Sequence, residues 1–349
     1  MRKSEWYNLR PILGHANWAL FYILIGSREV GKSYAVTSYF VSEYKKHGIP
    51  FIWLRLTEAA ARKLLQNNAE KLVDPDIRRK YDLDLITNGN NVYEITKRSK
   101  PDKNGKTKIL EKKLMARVYA LSTFYNDKGS IFDKDFLKDP KMAYHVAIDE
   151  FQREAGEANR FPILYSTVNQ LENLLRSTKE RTKIFFLGNT LEEASEILCA
   201  FSYIPETWGV FKLKSKRCVI HNIEPSEEYK ARRKGTIADI LMPKSSTFTN
   251  EMDVDAALVS KGPLITPSYV IKFKRDRDHW YTVWNSNVVA KYNGEKKPVI
   301  AMRPYLDEVF NAEVQKNMIS LFDTRSLQFR NLITFKQFQT DLEELKPRK

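Results

Sequence analysis

Cysteine and histidine are scarce in this chain, with 2 and 5 copies among 349 residues. Cys199 and Cys218 supply too few thiols for a disulfide framework or a metal site of familiar spacing, and the histidines are scattered along the sequence. The scarcity argues against a zinc protein and against a small secreted domain held by disulfides. We therefore expect reduced thiols in an intracellular protein.

A long apolar run is also missing. The run WALFYILI at residues 18–25 falls short of the ~20 apolar residues that a membrane-spanning helix needs. Arg2 and Lys3 lie upstream, as in a secretion signal, but Glu5 and Arg10 interrupt the approach and no small-residue cleavage site follows. We predict a chain that is neither secreted nor associated with a membrane.

Glycine and proline number 13 and 14, too few for a collagenous or low-complexity chain. Hydrophobic residues make up 42% and charged residues 29%, which indicates a folded chain, and the length suggests two domains. Acidic residues are fewer than basic ones: the chain has 43 Asp and Glu against 58 Lys and Arg, which gives a net charge of +15. This surplus favours a polyanionic partner such as nucleic acid, an acidic membrane or an acidic protein; a merely soluble basic protein is the alternative.

An eight-residue segment after the apolar run matches the phosphate loop G-x-x-x-x-G-K-[ST] in full. Residues 21–25 predict a buried strand before it, and residues 32–47, with Gly48 behind them, predict a helix after it. In such a loop, backbone N–H groups bind phosphate oxygens, the lysine contacts the β- and γ-phosphates, and the hydroxyl binds Mg²⁺. The segment therefore predicts an ATP site with Ser33 as a Mg²⁺ ligand, formed by Gly26, Ser27, Arg28, Glu29, Val30, Gly31, Lys32 and Ser33.

Two consecutive acids end another apolar strand, at residues 146–148. Asp149 is suited to hold the Mg²⁺ shell, and Glu150 is suited to orient or deprotonate the attacking water. This arrangement is typical of ATPases with an additional catalytic glutamate. A pair of solvated acids at a strand end is the alternative.

Polar residues also end two further predicted strands. Residues 51–56 place Arg55 near a strand end, and residues 183–187 are followed by Asn189, which we predict to sense the γ-phosphate unless Gly-Asn is a plain turn. Strands that alternate with helices predict an α/β fold of the P-loop NTPase type, with a mainly parallel sheet flanked by helices. Ligands of such sheets bind at the carboxyl ends of the strands, where these residues would assemble, so we predict that Arg55 and Asn189 bind the nucleotide.

A basic segment at residues 97–113 lies between two predicted strands. It holds eight lysines and arginines among seventeen residues, and Pro101 with Asn104-Gly105 predicts a hairpin tip. One interpretation is a loop that contacts the phosphates of a nucleic acid. The other is a solvated hairpin, since long charged tips are common.

The domain organisation predicted from composition has three parts. An ATPase domain covers residues 1–205, a basic linker covers 206–234, and a smaller C-terminal domain of α+β type covers 235–349. Residues 269–292 predict an antiparallel β-meander within the last part. The acids of this part show no spacing that supports a two-metal nuclease site.

Six segments, in their order along the chain, resemble those of the genome-packaging ATPases of small tailed phages, the phi29-like group. They are GSREVGKS (26–33), FIWLR (51–55), LSTFYNDKGS (121–130), VAIDEF (146–151), the stretch around Arg176, and FFLGN (185–189). The resemblance covers about residues 20–190 and weakens beyond them. The basic insertion at 97–113 departs from the family pattern.

The resemblance implies an additional-glutamate ATPase of the HerA–FtsK type that uses ATP and Mg²⁺. It implies a homopentameric ring at a procapsid vertex in the host cytoplasm, with double-stranded DNA as substrate and a structural RNA and the portal as partners. Arg176 and Lys128 would act in trans on the neighbouring subunit's nucleotide, Arg181 being the other candidate for the arginine. The C-terminal domain would be RNase H-like and would bind nucleic acid without cutting it.

The leading hypothesis is therefore an ATP-driven double-stranded DNA translocase that packages a viral genome. A cellular DNA pump or helicase of the same superfamily would translocate without a capsid. A kinase would transfer phosphate to an acceptor other than water, and it leaves Glu150 and the basic surplus unexplained. A nucleic-acid-binding protein with a vestigial nucleotide site would bind ATP without turnover.

Overall fold

The chain folds into two compact units. A computed structural model describes residues 7–15, 18–102, 105–124, 144–152, 163–175, 182–189, 195–205, 207–237, 240, 259–260, 264–272, 280–286, 299–303, 312–324 and 326–343. The first unit comprises Met1–Glu192 and Pro205–Glu251, and the second comprises Glu193–Ile204 and Met252–Lys349. The described residues contain no helix long and apolar enough to cross a membrane.

The first unit alternates strands with helices along most of its length. Its elements in chain order, together with the short helix α7 of the second unit, are α1 (Arg10–His15), β1 (Phe21–Ile25), α2 (Lys32–His47), β2 (Phe51–Arg55), α3 (Glu58–Ala69), α4 (Pro75–Tyr81), β3 (Leu85–Asn88), β4 (Asn91–Arg98), β5 (Ile109–Ala120), α5 (Leu121–Phe124), β6 (Val146–Asp149), α6 (Ile163–Leu175), β7 (Ile184–Gly188), α7 (Glu196–Ala200), β8 (Gly209–Leu213), β9 (Cys218–Asn222) and α8 (Glu227–Arg233).

These strands form one nine-stranded sheet in the order β3-β4-β5-β2-β6-β7-β1-β9-β8. The six strands from β5 to β9 in this order pair in parallel, while β3 and β4 at one end and β8 at the other pair antiparallel. The predicted α/β fold with a mainly parallel sheet is confirmed. Strand β7 lies between β1 and β6, so the carboxyl ends of these three strands are neighbours at one edge of the sheet.

Helix α2 packs its apolar side onto the sheet. It begins after Gly31, whose backbone is left-handed (φ 97°), and it ends at Gly48, as predicted. Phe40 is buried, and its ring centroid lies 5.2 Å from that of Phe51 and 5.5 Å from that of Phe185. Truncation of such a side chain to alanine costs about 3–5 kcal/mol. The packing fixes the first turn of α2 against the edge of the sheet where β1 ends.

The prediction of a basic linker at residues 206–234 is wrong, because this segment contains strands β8 and β9, which complete the sheet. Strand β9 pairs in parallel with β1 and buries Cys218, Val219 and Ile220, and β8 pairs with β9 along the edge of the sheet. The basic composition of the segment comes mainly from the turn at residues 214–217 and from helix α8, while the edge strand β8 carries one lysine, Lys212. Residues 193–204, which the prediction placed in the ATPase domain, belong to the second unit.

The second unit is a smaller α+β unit. Besides α7 it contains β10 (Leu264–Lys272), β11 (Trp280–Ser286), β12 (Val299–Arg303), α9 (Ala312–Asp323), β13 (Gln328–Phe329) and α10 (Leu332–Glu343). The first three strands form an antiparallel meander, and β13 pairs in parallel with β12. Tyr281, Phe329 and Phe338 form its core, in which the Tyr281 hydroxyl donates to Asp341 Oδ2 at 2.7 Å. The unit therefore has a core of its own.

Candidate nucleotide-binding and hydrolysis site

The phosphate loop connects β1 to α2 at the edge of the sheet where the parallel strands end. Its backbone enters the left-handed region at Glu29 (φ 66°) and at Gly31, immediately before the first turn of α2. Gly26 and Ser27 are buried, while Arg28 and Glu29 are exposed. The loop is therefore concave backbone ahead of a helix N-terminus, which is the arrangement that binds phosphate.

Lys32 is buried beneath the loop. Its ammonium group donates to the carbonyl oxygens of Gly26 and Ser27, each at 2.7 Å, and lies 3.4 Å from Asn189 Oδ1. Burial lowers the pKa of Lys32 to about 8, and the nearby carboxylates of Asp149 and Glu150 oppose that shift. The loop carbonyls thus hold the lysine in place where it can exchange them for phosphate oxygens.

Asn189 follows β7, and the close packing behind it requires glycine at position 188. A Cβ atom on Gly188 would lie 2.6 Å from Phe151 Cε1 and 2.8 Å from Gln152 Oε1. These two residues come directly after the acidic pair, so the end of β7 is pressed against the turn that follows β6. Asn189 is thereby placed beside Lys32, and its role as a sensor of the γ-phosphate stays a prediction.

Ser33 and Asp149 lie next to each other. The Ser33 hydroxyl donates to Asp149 Oδ1 at 3.4 Å, and Asp149 is buried. The described residues contain no cluster of three or more His, Cys, Asp or Glu that would hold a metal by itself. One carboxylate and one hydroxyl fit Mg²⁺, which takes few protein ligands and completes its shell with water and substrate phosphates.

Glu150 has a different environment from Asp149, although the two are adjacent in sequence. The Asp149 side chain is 9% exposed and the Glu150 side chain is 47% exposed. Glu150 also has a left-handed backbone (φ 55°), a conformation that costs a residue with a Cβ about 1–3 kcal/mol and that clusters at functional sites. The turn leaves one acid at the buried strand end and projects the other into solvent.

Arg55 bridges the two acids. It is the register partner of Asp149 on the neighbouring strand β2, and its Nη1 donates to Asp149 Oδ2 at 2.8 Å. Its other terminal nitrogen, Nη2, contacts the Glu150 carboxylate. Sequence analysis expected Arg55 to bind the nucleotide, whereas the structure places its guanidinium on the two carboxylates. The pairing depends on strand register, which the sequence pattern does not reveal.

Three contacts around the loop were missed by sequence analysis. The Tyr7 backbone N–H donates to the Val30 carbonyl at 3.1 Å, and the Tyr7 hydroxyl lies 2.8 Å from His221 Nδ1. Arg233 Nη1 lies 3.9 Å from Glu29 Oε2. The contacts of Tyr7 with His221 and of Arg233 with Glu29 join residues about two hundred positions apart, so no local pattern could have indicated them.

The structure describes most of the predicted site residues but not all of them. It brings the phosphate loop, Arg55, the acidic pair and Asn189 to one edge of the sheet. Lys128, Arg176 and Arg181 lie outside the described residues.

Comparison with known proteins identifies the family. Residues 1–318 match the podovirus DNA encapsidation protein (Gp16). The DNA packaging protein of Bacillus phage PZA is 23% identical over 279 residues, which cover 80% of this chain and 71% of that protein. A chain of the bacteriophage Phi-29 viral genome packaging motor assembly has a TM-score of 0.61 at 18% identity, covering 97% of this chain and 99% of that one. The Phi-28 gp11 DNA packaging motor has a TM-score of 0.57 at 16% identity, with 99% of each chain covered.

These matches confirm the resemblance that the motifs indicated, and the chain belongs to the podovirus DNA encapsidation protein (Gp16) family.

Proposed function

We propose that this chain is the ATPase subunit of a phage packaging motor, which hydrolyses ATP with Mg²⁺ to drive double-stranded DNA into a procapsid. The observation that carries the proposal is the convergence of Lys32, Asn189, Asp149 and Glu150 at the edge of the sheet where the phosphate loop lies. Family membership supports the DNA-packaging part of the proposal.

Nucleotide binding would use groups that are already in position. The loop N–H groups and the N-terminal end of α2 would bind the phosphates, and Lys32 would exchange its carbonyl contacts for β- and γ-phosphate oxygens. Ser33 and Asp149 would hold Mg²⁺, which, when bound, neutralises charge that develops on the phosphate oxygens. Asn189 would donate its side-chain N–H to the γ-phosphate.

Hydrolysis would depend on Glu150. Its exposed carboxylate would take a proton from a water molecule as the water oxygen bonds to the γ-phosphorus and the bond to the ADP oxygen breaks. Arg55 contacts one oxygen of the Glu150 carboxylate, Oε2, so the other oxygen, Oε1, would accept the proton while Arg55 holds the side chain. An acid in this position favours water as the phosphate acceptor, which distinguishes a hydrolase from a kinase.

The assembly part of the proposal comes from the family. We propose a ring, a homopentamer as in the predicted motor, that acts on the procapsid in the host cytoplasm with the portal and a structural RNA as partners. Arg176 and Lys128 would stabilise transition-state charge on the neighbouring subunit's nucleotide. The two structural neighbours are themselves packaging-motor chains, which supports a motor of several subunits.

The proposal is tested by measuring ATP hydrolysis of the purified chain alone, with duplex DNA, and with DNA and procapsids. Glu150→Gln should abolish hydrolysis in every condition while ATP binding persists. Arg62→Ala, on the exposed side of α3, is the matched control and should hydrolyse ATP as the wild type does. ATP binding without hydrolysis by the wild type, even with procapsids, would indicate a vestigial site and refute the proposal.

A further inference from the structure

A two-stranded ribbon extends from the first unit, away from the nucleotide site. Strand β5 pairs with β2 only through residues 116–120. Ala120, the last of these, lies opposite Arg55, at the edge of the sheet where the parallel strands have their carboxyl ends. Residues 109–115 precede that pairing, and seven residues at 3.4 Å each continue about 24 Å beyond the amino end of β2. We define the basic ribbon as the described residues 95–102 and 105–112; it lies toward the edge of the sheet opposite the phosphate loop.

The basic ribbon is an ordered structure with both faces in solvent. Glu94 is the last residue of β4 that pairs with β3, where it lies opposite Leu85. From residue 95 onward, β5 is the only strand of the described part of the chain that pairs with β4. Residues 109–113 are all exposed, so no side of this stretch contributes to the core. Backbone hydrogen bonds continue the ladder to the tip, from Ser99 N–H to the Lys108 carbonyl at 2.8 Å and from Asp102 N–H to the Lys106 carbonyl at 2.9 Å.

The ribbon carries cations that no acid of the described residues neutralises. Lys97 pairs with Glu111 and Arg98 pairs with Asp84. By contrast, the exposed lysines at 100, 106 and 108 form no ion pair within the described part of the chain. These unpaired ammonium groups do not stabilise the fold through ion pairs. Spaced along a projecting ribbon, they form a surface that attracts a polyanion.

We infer that the basic ribbon binds the phosphate backbone of duplex DNA. Lysine is a point charge that contacts phosphates without selecting a base sequence, as translocation along a whole genome requires. A two-stranded ribbon fits the major groove of B-form DNA, whereas the major groove of A-form RNA is too narrow for side chains. The exposed side chains of Ile109 and Leu110 would add apolar contacts to the sugars, which do not depend on base sequence. The choice of DNA as partner rests on the proposed function.

The position of the ribbon separates DNA contact from hydrolysis. The phosphate loop and the acidic pair lie at the carboxyl edge, while the ribbon projects from the amino edge of the same sheet. Loss of ribbon charge should therefore weaken DNA binding and any DNA stimulation of ATPase activity, and it should leave DNA-independent hydrolysis unchanged.

The test is a salt titration of full-length protein binding to a fluorescent mixed-sequence DNA duplex. The variant is Lys100→Gln/Lys106→Gln/Lys108→Gln, and the control is Lys63→Gln/Lys71→Gln/Lys234→Gln, which removes three exposed charges elsewhere in the first unit. Each phosphate contact contributes about 0.9 to the slope of log K against log salt, so the ribbon variant should lose up to about 2.7 of that slope. Its affinity at about 0.1 M salt should fall roughly tenfold or more, and the control should change little.

Circular dichroism and the thermal midpoint should match the wild type for both triple variants, because all six lysines are exposed. An equal loss of affinity in both variants would refute the inference, because net charge alone would then explain the binding. Duplex RNA that competes as well as duplex DNA would refute the choice of partner. A wild type that binds DNA through the ribbon and never hydrolyses ATP would refute the proposed function and leave this inference standing.

Discussion

Arg55 and Asp149 are register partners on neighbouring strands, and Arg55 Nη1 donates to Asp149 Oδ2 at 2.8 Å. The same guanidinium contacts Glu150, so one cation offsets two adjacent carboxylates that would otherwise repel each other. The acid that we propose as the base is thus held in place by a residue that does not itself react. We therefore predict that Arg55 is a positioning residue whose replacement affects turnover.

We expect Arg55→Lys to lower the kcat for ATP about tenfold or more, with KM for ATP changed less than about threefold. A lysine ammonium is a point charge and does not span two carboxylates as the planar guanidinium does. Steady-state ATPase kinetics test this, with Arg62→Lys on the exposed side of α3 as the control. Wild-type kcat in Arg55→Lys would show that the bridge has no part in hydrolysis.

Replacement of the two acids should separate metal binding from water activation. Asp149→Asn should remove most of the Mg²⁺ dependence of ATP binding, because Asp149 is the carboxylate beside the Ser33 hydroxyl. Glu150→Gln should keep that dependence and lose about 10²–10⁴-fold in turnover. Fluorescent-ATP titrations with Mg²⁺ and with EDTA, together with single-turnover hydrolysis, measure both effects. The same defect in both variants would contradict the division of roles.

The parts of the site that follow one another in sequence could be predicted from the sequence. The strand before the phosphate loop, the loop itself, and α2 up to its stop at Gly48 depend on local propensity and backbone conformation, and all are confirmed. The acidic strand and the mainly parallel sheet followed from apolar runs that alternate with helical patterns. Local rules therefore sufficed for each of these elements.

The parts that depend on tertiary pairing could not be predicted. Strands β8 and β9 are joined by a basic turn and followed by a basic helix, and the composition of the whole segment concealed their membership of the sheet. The bridge from Arg55 to the acids depends on the register of β2 against β6. The contact of Tyr7 with His221 joins residues 214 positions apart. In each case the missing information is a long-range contact that composition and periodicity do not encode.

Lys32 should make the stability of the nucleotide-free protein depend on pH. Burial lowers its pKa to about 8 from 10.5, so between these pH values the unfolded chain binds this proton and the folded chain does not. The free energy of unfolding therefore increases as pH rises from about 8 to 10.5. Below pH 8 the folded protein carries the full cost of burying the charged lysine. Between pH 7.5 and 9.5 the linkage gives a gain of about 2 kcal/mol.

Urea unfolding of the wild type and of Lys32→Met at those two pH values tests this linkage. The variant should lack the gain, and Lys71→Met, at an exposed position, should keep it. The comparison is between chains at each pH, so other titrating groups contribute equally to both. The same pH dependence in the wild type and in Lys32→Met would contradict a lowered pKa for the buried lysine.

Tyr7 should brace the phosphate loop through two separable contacts. Its backbone N–H donates to the Val30 carbonyl, and its hydroxyl is hydrogen-bonded to His221 Nδ1. Tyr7→Phe removes the hydroxyl contact alone and should lower the free energy of unfolding by about 1 kcal/mol. Tyr7→Ala also removes the ring that packs on the core, so it should additionally weaken ATP binding by releasing the segment that holds Val30. A double-mutant cycle with His221→Leu isolates the hydroxyl contact: a coupling energy near zero would show that the two side chains do not stabilise each other.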